Sequence, residues 1–183
     1  SMEQRGIILL GLGPGSPEML TRQAWQTIEN SSEIYLRTRQ HPTVDGFPKD
    51  IQLHSFDYLY DEYESFDDVY ACIVEEILEL GRKPKGVVYA VPGHPFVAEA
   101  TCPEIARRAR EMQIPIFVVE GLSFLEPSFS ALGVDPLPRT SIVDALEMVS
   151  GHHPPFPPDA PALIAQVYDQ QIAAEIKITL MTV

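Results

Sequence analysis

Ile7-Ile8-Leu9-Leu10-Gly11-Leu12-Gly13-Pro14-Gly15-Ser16-Pro17 is the stretch whose reading decides the fold. Four consecutive apolar residues without alternation read as a strand buried on both faces, as in parallel sheets. A glycine-rich turn follows, and then a helical pattern predicted from Pro17 to Asn30, with Ser16 able to cap it and Pro17 suited to its first position. Such a strand-to-helix turn brings backbone N–H groups close to a ligand where a Cβ would clash. It is not a nucleotide P-loop, because no Gly-Lys-Ser/Thr follows. It is not the dinucleotide fingerprint either, because the third glycine comes one residue too early.

Strand and helix patterns alternate beyond this stretch. Ile34–Leu36 and Ile51–Leu53 read as short strands. Phe66 to Leu80 reads as a helix, with Val69, Ile73, Ile77 and Leu80 at helical spacing and Gly81 ending it. Val87–Val91 and Ile116–Val119 read as buried strands, with a helix predicted between them from Val97 to Met112. This rhythm predicts an α/β fold, a parallel sheet with helices on both faces. After residue 119 the pattern changes. A helix is expected over Leu122–Leu132, ending at Gly133, then strands at Ser141–Val143 and Ala162–Val167, then a helix from Gln170 to about Thr182. We therefore expect a first α/β domain over residues 3–119 and an incomplete second one over 120–183. The last segment has neither cap nor polar tail, which points to further sequence in the natural protein. Ser1-Met2 reads as a cleavage scar before a natural start.

The 183 residues carry 13 basic and 26 acidic side chains, a net charge of −13. That balance disfavours nucleic acid and anionic membrane surfaces as partners. No apolar run approaches the ~20 residues of a membrane span, and no signal-peptide pattern opens the chain, so a cytoplasmic location is expected. Cys72 and Cys102 read as reduced core thiols. The near-cluster His152-His153 lies in a proline-rich loop and makes a poor metal site, so no metal is expected. The acidic and aromatic stretch from Asp57 to Asp68 matches no calcium loop and reads as a solvated surface.

Three turns fall at predicted strand ends: Gly11–Ser16, Pro92-Gly93-His94-Pro95 and Gly121-Leu122-Ser123-Phe124. In open α/β sheets ligands bind outside the carboxyl ends of the strands, so the three are expected to border one pocket. Gly11-Leu-Gly-Pro-Gly-Ser-Pro-Glu-Met-Leu-Thr21, Gly93-His-Pro95 and Gly121-Leu-Ser-Phe124 together resemble the tetrapyrrole (corrin/porphyrin) methylase family. The likeness is strongest to a branch fused to a C-terminal MazG nucleotide pyrophosphohydrolase domain. Its marks here are Leu36-Arg-Thr38 with His41-Pro42, Ser55-Phe-Asp57, Tyr89-Ala-Val-Pro-Gly-His-Pro95 and Leu132-Gly-Val-Asp-Pro136.

The resemblance implies an S-adenosylmethionine-dependent methyltransferase of two α/β domains, acting on a small-molecule acceptor that the sequence does not identify, and working as a homodimer. Gly13 and Pro14 in the opening loop, Gly93 and His94 in the second turn, and Val97 after it would line the cofactor pocket. Ser123 and Phe124 would flank the cofactor, and Gln166 would lie near its adenine. His94 stands where corrin-making relatives carry an aspartate. It is either a plain helix-start residue or an imidazole bonded to the ligand, with a charge sensitive near pH 6–7. Arg37, Arg39 and His41 form a basic knot; Arg37 and His41 are the candidates for holding an anionic substrate group. Glu75-Glu76-Ile-Leu-Glu79 matches half of the MazG metal motif, but no Glu-x-x-Asp follows, and it reads as a solvated helix face. The alternative to a methyltransferase is a non-catalytic or regulatory methylase-like module of a MazG-type nucleoside triphosphate pyrophosphohydrolase.

Overall fold

The computed structural model describes residues 5–144, 157, 159–169 and 174–181, from residue 166 onward by their backbone alone. His152 and His153 lie outside the described residues. The chain divides into two compact units, Ser1–Ser123 and Phe124–Val183.

The first unit is built on a parallel five-stranded sheet in the order β3-β2-β4-β1-β5, with β1 Ile7–Gly11, β2 Glu33–Leu36, β3 Gln52–Ser55, β4 Val87–Val91 and β5 Ile116–Val119. Successive residues of β1 and β4 serve opposite faces, as the pleat requires. Ile7, Leu9, Val87, Tyr89 and Val91 enter one core with α4 (Phe66–Gly81) and α5 (Cys102–Glu111). Leu10 and Ala90 enter the other with α1 (Arg22–Glu29) and α2 (Pro42–Asp45). A further short helix, α3 (Leu59–Glu62), leads into α4.

This division follows from connection handedness. The chain moves leftward through the sheet from β1 to β2 to β3 by way of α1 and α2. It then moves rightward from β3 to β4 to β5 by way of α4 and α5. Right-handed crossovers in opposite directions must use opposite faces. The neighbours β1 and β4 therefore send their chains to opposite sides, and a crevice opens between their carboxyl ends. That is a topological switch point.

Two predicted helices of the first unit begin later than expected. Pro17–Met19 forms only a 3-10 turn capped by Ser16, and Leu20 is extended. α1 starts afresh after Thr21, whose hydroxyl accepts the Ala24 N–H. α5 begins at Cys102, not Val97, because Ala98 takes φ +51° and breaks the helical path. Short α2 and α3 come in addition to the helices expected from the sequence.

In the second unit, α6 (Leu125–Leu132) ends on left-handed Gly133. A three-stranded sheet follows, in the order β6-β7-β8: β6 Ser141–Asp144, β7 Ala162–Asp169 and β8 Ala174–Met181. β6 and β7 are parallel, and β7 and β8 are antiparallel. Over Ala174–Met181, the helix expected there is thus corrected to a strand. The physical reason lies in the residues: Glu175, Lys177 and Thr179 alternate with Ile176, Ile178 and Leu180, a period of two rich in β-branched side chains.

Candidate functional site

The turns after β1, β4 and β5 meet through glycine backbones. A Cβ on Gly121 would come within 2.2 Å of the Gly93 carbonyl oxygen and 2.9 Å of the Gly11 Cα. A Cβ on Gly11 would lie 2.6 Å from the same oxygen and 2.8 Å from Gly121. The β4 turn therefore reaches across the end of β1 to the β5 turn, which any side chain there would prevent. Gly13 and Gly93 form an isolated antiparallel bridge, with Gly93 N–H donating to the Gly13 oxygen at 2.8 Å and Gly13 N–H returning the bond at 3.2 Å. Leu12 N–H donates to the Val91 oxygen at 2.8 Å. The N–H groups of Leu12 and Gly13 are thus committed to the β4 turn rather than offered to a ligand.

His41 lies beneath this loop. It is buried, and its Nε2–H donates to the Gly13 oxygen at 2.9 Å while its Nδ1 accepts the Thr43 N–H at 3.2 Å. The two partners fix the neutral tautomer. Burial pushes its pKa below the ordinary value, against a smaller opposite pull from the Gly13 carbonyl. Thr43 adds a bond from its hydroxyl to the Gly15 oxygen at 3.3 Å. The start of α2 therefore clamps the opening turn, a role that single-residue reading of His41 did not reveal.

Arg37 and Arg39 of the basic knot have partners within the first unit. Arg37 pairs with Glu99, Nε to Oε1 at 3.6 Å. Arg39 donates its side chain to the Leu53 oxygen at 2.9 Å and its N–H to Asp57 at 3.0 Å. Glu99, whose side chain is 3% exposed, also accepts the N–H groups of Thr101 at 2.8 Å and Cys102 at 2.7 Å, and so caps α5. The Thr101 hydroxyl joins Glu99 to the buried Tyr89 hydroxyl, 2.8 Å away. Burial, and then the Glu99 charge, push the Tyr89 hydroxyl and the Cys102 thiol well up. Glu99 and Thr101 were missed because no motif contains them; the signal was a glutamate just ahead of a Thr-Cys-Pro helix start.

His94 stands over the same edge. Its Nδ1 accepts the Phe96 N–H at 3.0 Å and its Nε2 meets Glu120 Oε2 at 2.5 Å. The Glu120 carbonyl accepts the Thr21 hydroxyl at 3.1 Å, tying the β5 turn to the start of α1. Pro14 and Val97 are half-buried on this edge, and Ser123 is buried. Phe124 and Gln166 belong to the second unit. Beside the opening turn lies a cavity of about 350 Å³ lined by Pro17, Leu20, Thr21, Arg22, Trp25, Thr43 and Gly46. None of the sequence-predicted site residues lines it.

Among the described residues, no three His, Cys, Asp or Glu side chains cluster as a metal site, and no helix is long and apolar enough to cross a membrane. Glu75 pairs with Arg108 of α5 and Glu79 with Arg82, so two glutamates of the Glu-Glu-x-x-Glu run serve ion pairs.

Comparison with known proteins places this geometry. The uncharacterized protein YabN of Bacillus subtilis (strain 168) is 35% identical over 181 residues, which cover 96% of this chain. The chain spans about a third of YabN, 35% of its length. The fold is shared with a uroporphyrin-III-C-methyltransferase from Thermus thermophilus, with a TM-score of 0.60 and 22% identity, over 96% of this chain and 83% of that one. It is shared as well with a Thermus thermophilus uroporphyrin-III C-methyltransferase complexed with S-adenyl homocysteine, with a TM-score of 0.54 and 18% identity, over 87% of this chain and 65% of that one. With its glycine turns gathered at the switch point of a parallel sheet, and with the family model matching residues 6–177, the chain belongs to the Tetrapyrrole (Corrin/Porphyrin) Methylases.

Proposed function

We propose that this chain binds S-adenosylmethionine at the carboxyl edge of its first sheet and is the methyltransferase module of a longer protein. The observation that carries the reading is the meeting of Gly11, Gly93 and Gly121 over the crevice between β1 and β4. Family membership supports it, as does the neighbour complexed with S-adenyl homocysteine. The groups on this edge fit such a cofactor. They are closely packed backbone turns beside an exposed carboxylate, Glu120. When bound, the cofactor supplies an activated methyl group. The chain's own task is to hold and orient the two reactants, which suits a rigid edge more than a catalytic triad. The acceptor is a small molecule, and the same reading extends to a homodimer in the cytoplasm.

A second reading rests on the share of YabN that this chain spans. Two-thirds of such a protein would lie elsewhere, room for a MazG-type pyrophosphohydrolase domain that this module regulates. An E-E-x-x-E…E-x-x-D helix pair downstream would support it. Calorimetry with S-adenosylmethionine and S-adenosylhomocysteine on the protein at its full natural length tests the first reading. Heat and a thermal shift with both ligands are expected; neither effect at about 1 mM ligand, where even weak binding shows, would sink it. Binding without methyl transfer to any metabolite pool favours the regulatory module.

A further inference from the structure

We propose that Glu120, positioned by His94, is the residue that recognises the positive charge of the methyl donor and so separates donor from spent product. This rests on the assignment of S-adenosylmethionine to the same sheet edge. The donor carries a cationic sulfonium; after methyl loss, the product has a neutral thioether at that atom. A fixed carboxylate on the edge distinguishes the two by one unit of charge.

The geometry gives Glu120 that role. His94 follows β4 and Glu120 follows β5, with β1 lying between these two strands in the sheet. The imidazole reaches its partner across the carboxyl end of β1, where the missing Cβ of Gly11 leaves room for the adjoining Gly93 and Gly121 backbones. Because His94 Nδ1 accepts the Phe96 N–H, the ring proton sits on Nε2 and donates to the carboxylate. The neutral ring thus orients Glu120 without cancelling its charge. The Glu120 backbone is pinned separately by the Thr21 hydroxyl. A carboxylate fixed at both ends costs little further ordering when it meets a ligand.

Charge and exposure agree. The Glu120 side chain is 67% exposed and that of His94 is 19% exposed, so the orienting group is mostly covered while the carboxylate faces solvent. Among the described residues, the ion pairs of the basic side chains run elsewhere: Arg37 to Glu99, Lys85 to Glu33, Arg107 to Glu104 and Glu111, Arg108 to Glu75. A carboxylate held in place with no lysine or arginine upon it keeps its full attraction for an incoming cation.

Glu120→Gln isolates the charge, since the amide oxygen still accepts from His94 and the link across β1 persists. Calorimetry on the full-length protein should show S-adenosylmethionine weakened about five- to tenfold and S-adenosylhomocysteine less than about twofold, the difference shrinking in high salt. Glu29→Gln removes the same charge at the far end of α1 and should alter neither affinity. His94→Ala should narrow the donor-to-product ratio, and His94→Gln, which keeps a donor, should restore part of it. If the wild type binds neither ligand, the cofactor assignment itself has failed. If the wild type binds both and Glu120→Gln weakens both equally, or neither, the charge-recognition role is overturned.

Discussion

Replacing His41 by alanine removes two hydrogen bonds that hold the opening turn: the one to the Gly13 oxygen and the one from the Thr43 N–H that caps α2. The Gly13 oxygen keeps its bond from Gly93, but the Thr43 N–H loses its partner. At about 1 kcal/mol per bond, plus the lost packing of a buried ring, the substitution should cost about 2–3 kcal/mol near pH 7.5. The cost should also depend on pH in a defined direction. Burial holds the folded-state pKa of His41 below the ordinary 6.5. The unfolded chain therefore takes up a proton that the folded chain refuses. The stability contributed by His41 is fully present above the unfolded value and is lost as pH falls below it. One pH unit below, the loss is at most about 1.4 kcal/mol. The gap between wild type and His41→Ala should thus narrow from about 2–3 kcal/mol at pH 7.5 to about 1–2 kcal/mol at pH 5.5. Taking the difference cancels the carboxylates and the other histidines, which both proteins share. Urea midpoints followed by Trp25 emission suit the measurement, because this only tryptophan packs against the core on the α1 and α2 face. A gap that stays constant across that pH range, or a variant with an unchanged midpoint, refutes the assignment of His41 as a neutral clamp.

Two further outcomes test the packing of the sheet edge. Gly121→Ala should destabilise the first unit by about 3 kcal/mol or more, since its Cβ meets backbone on two other turns. Gly46→Ala, with its nearest neighbour at 3.6 Å, should cost under about 1 kcal/mol; equal shifts in thermal melts would refute the close approach of the three turns. A thiol reagent should modify half-buried Cys72 in the native protein and leave buried Cys102, with its raised pKa, until denaturant is added. Two equally fast thiols would contradict the Glu99–Thr101–Cys102 arrangement.

Much of the first unit was legible in its sequence because its signals are local. Ile7–Leu10 and Val87–Val91 are apolar runs bounded by glycine turns, and Val69, Ile73 and Ile77 mark one face of a helix. The starts of α1 and α5 were not legible, since each depends on a distant or chain-reversing partner. Thr21 restarts the first helix while its hydroxyl reaches Glu120, and Glu99 folds back onto Thr101 and Cys102. The glycine turns announced themselves, but the reason for each glycine did not. Gly11 and Gly121 are required by each other and by the Gly93 carbonyl, a contact between three strand ends far apart in the chain. The partners of the basic residues were not legible either: Arg37 meets Glu99, and Arg39 meets Leu53 and Asp57, each distant in sequence. β8 is a different case: its two-residue alternation was present in the sequence, and the helix expectation overlooked it.

The side chains around the three turns share one task. His41 fixes the β1 turn from α2, Glu99 fixes the approach to α5 with Arg37 behind it, and His94 and Thr21 fix the end of β5. Each clamp comes from a different element, so the edge is over-determined and should hold its shape without a ligand. Ala98, a non-glycine residue at φ +51°, persists in such a setting because its neighbours on both sides are anchored. A methyl transfer draws its rate from alignment of the reactants more than from proton transfer, and a preformed edge supplies alignment before binding. The same scaffold leaves the acceptor open, because a fold shared at 22% identity carries the frame and not the chemistry of its second substrate. On the proposed reading, donor recognition resides in the fixed shape of this edge and in one oriented carboxylate, Glu120.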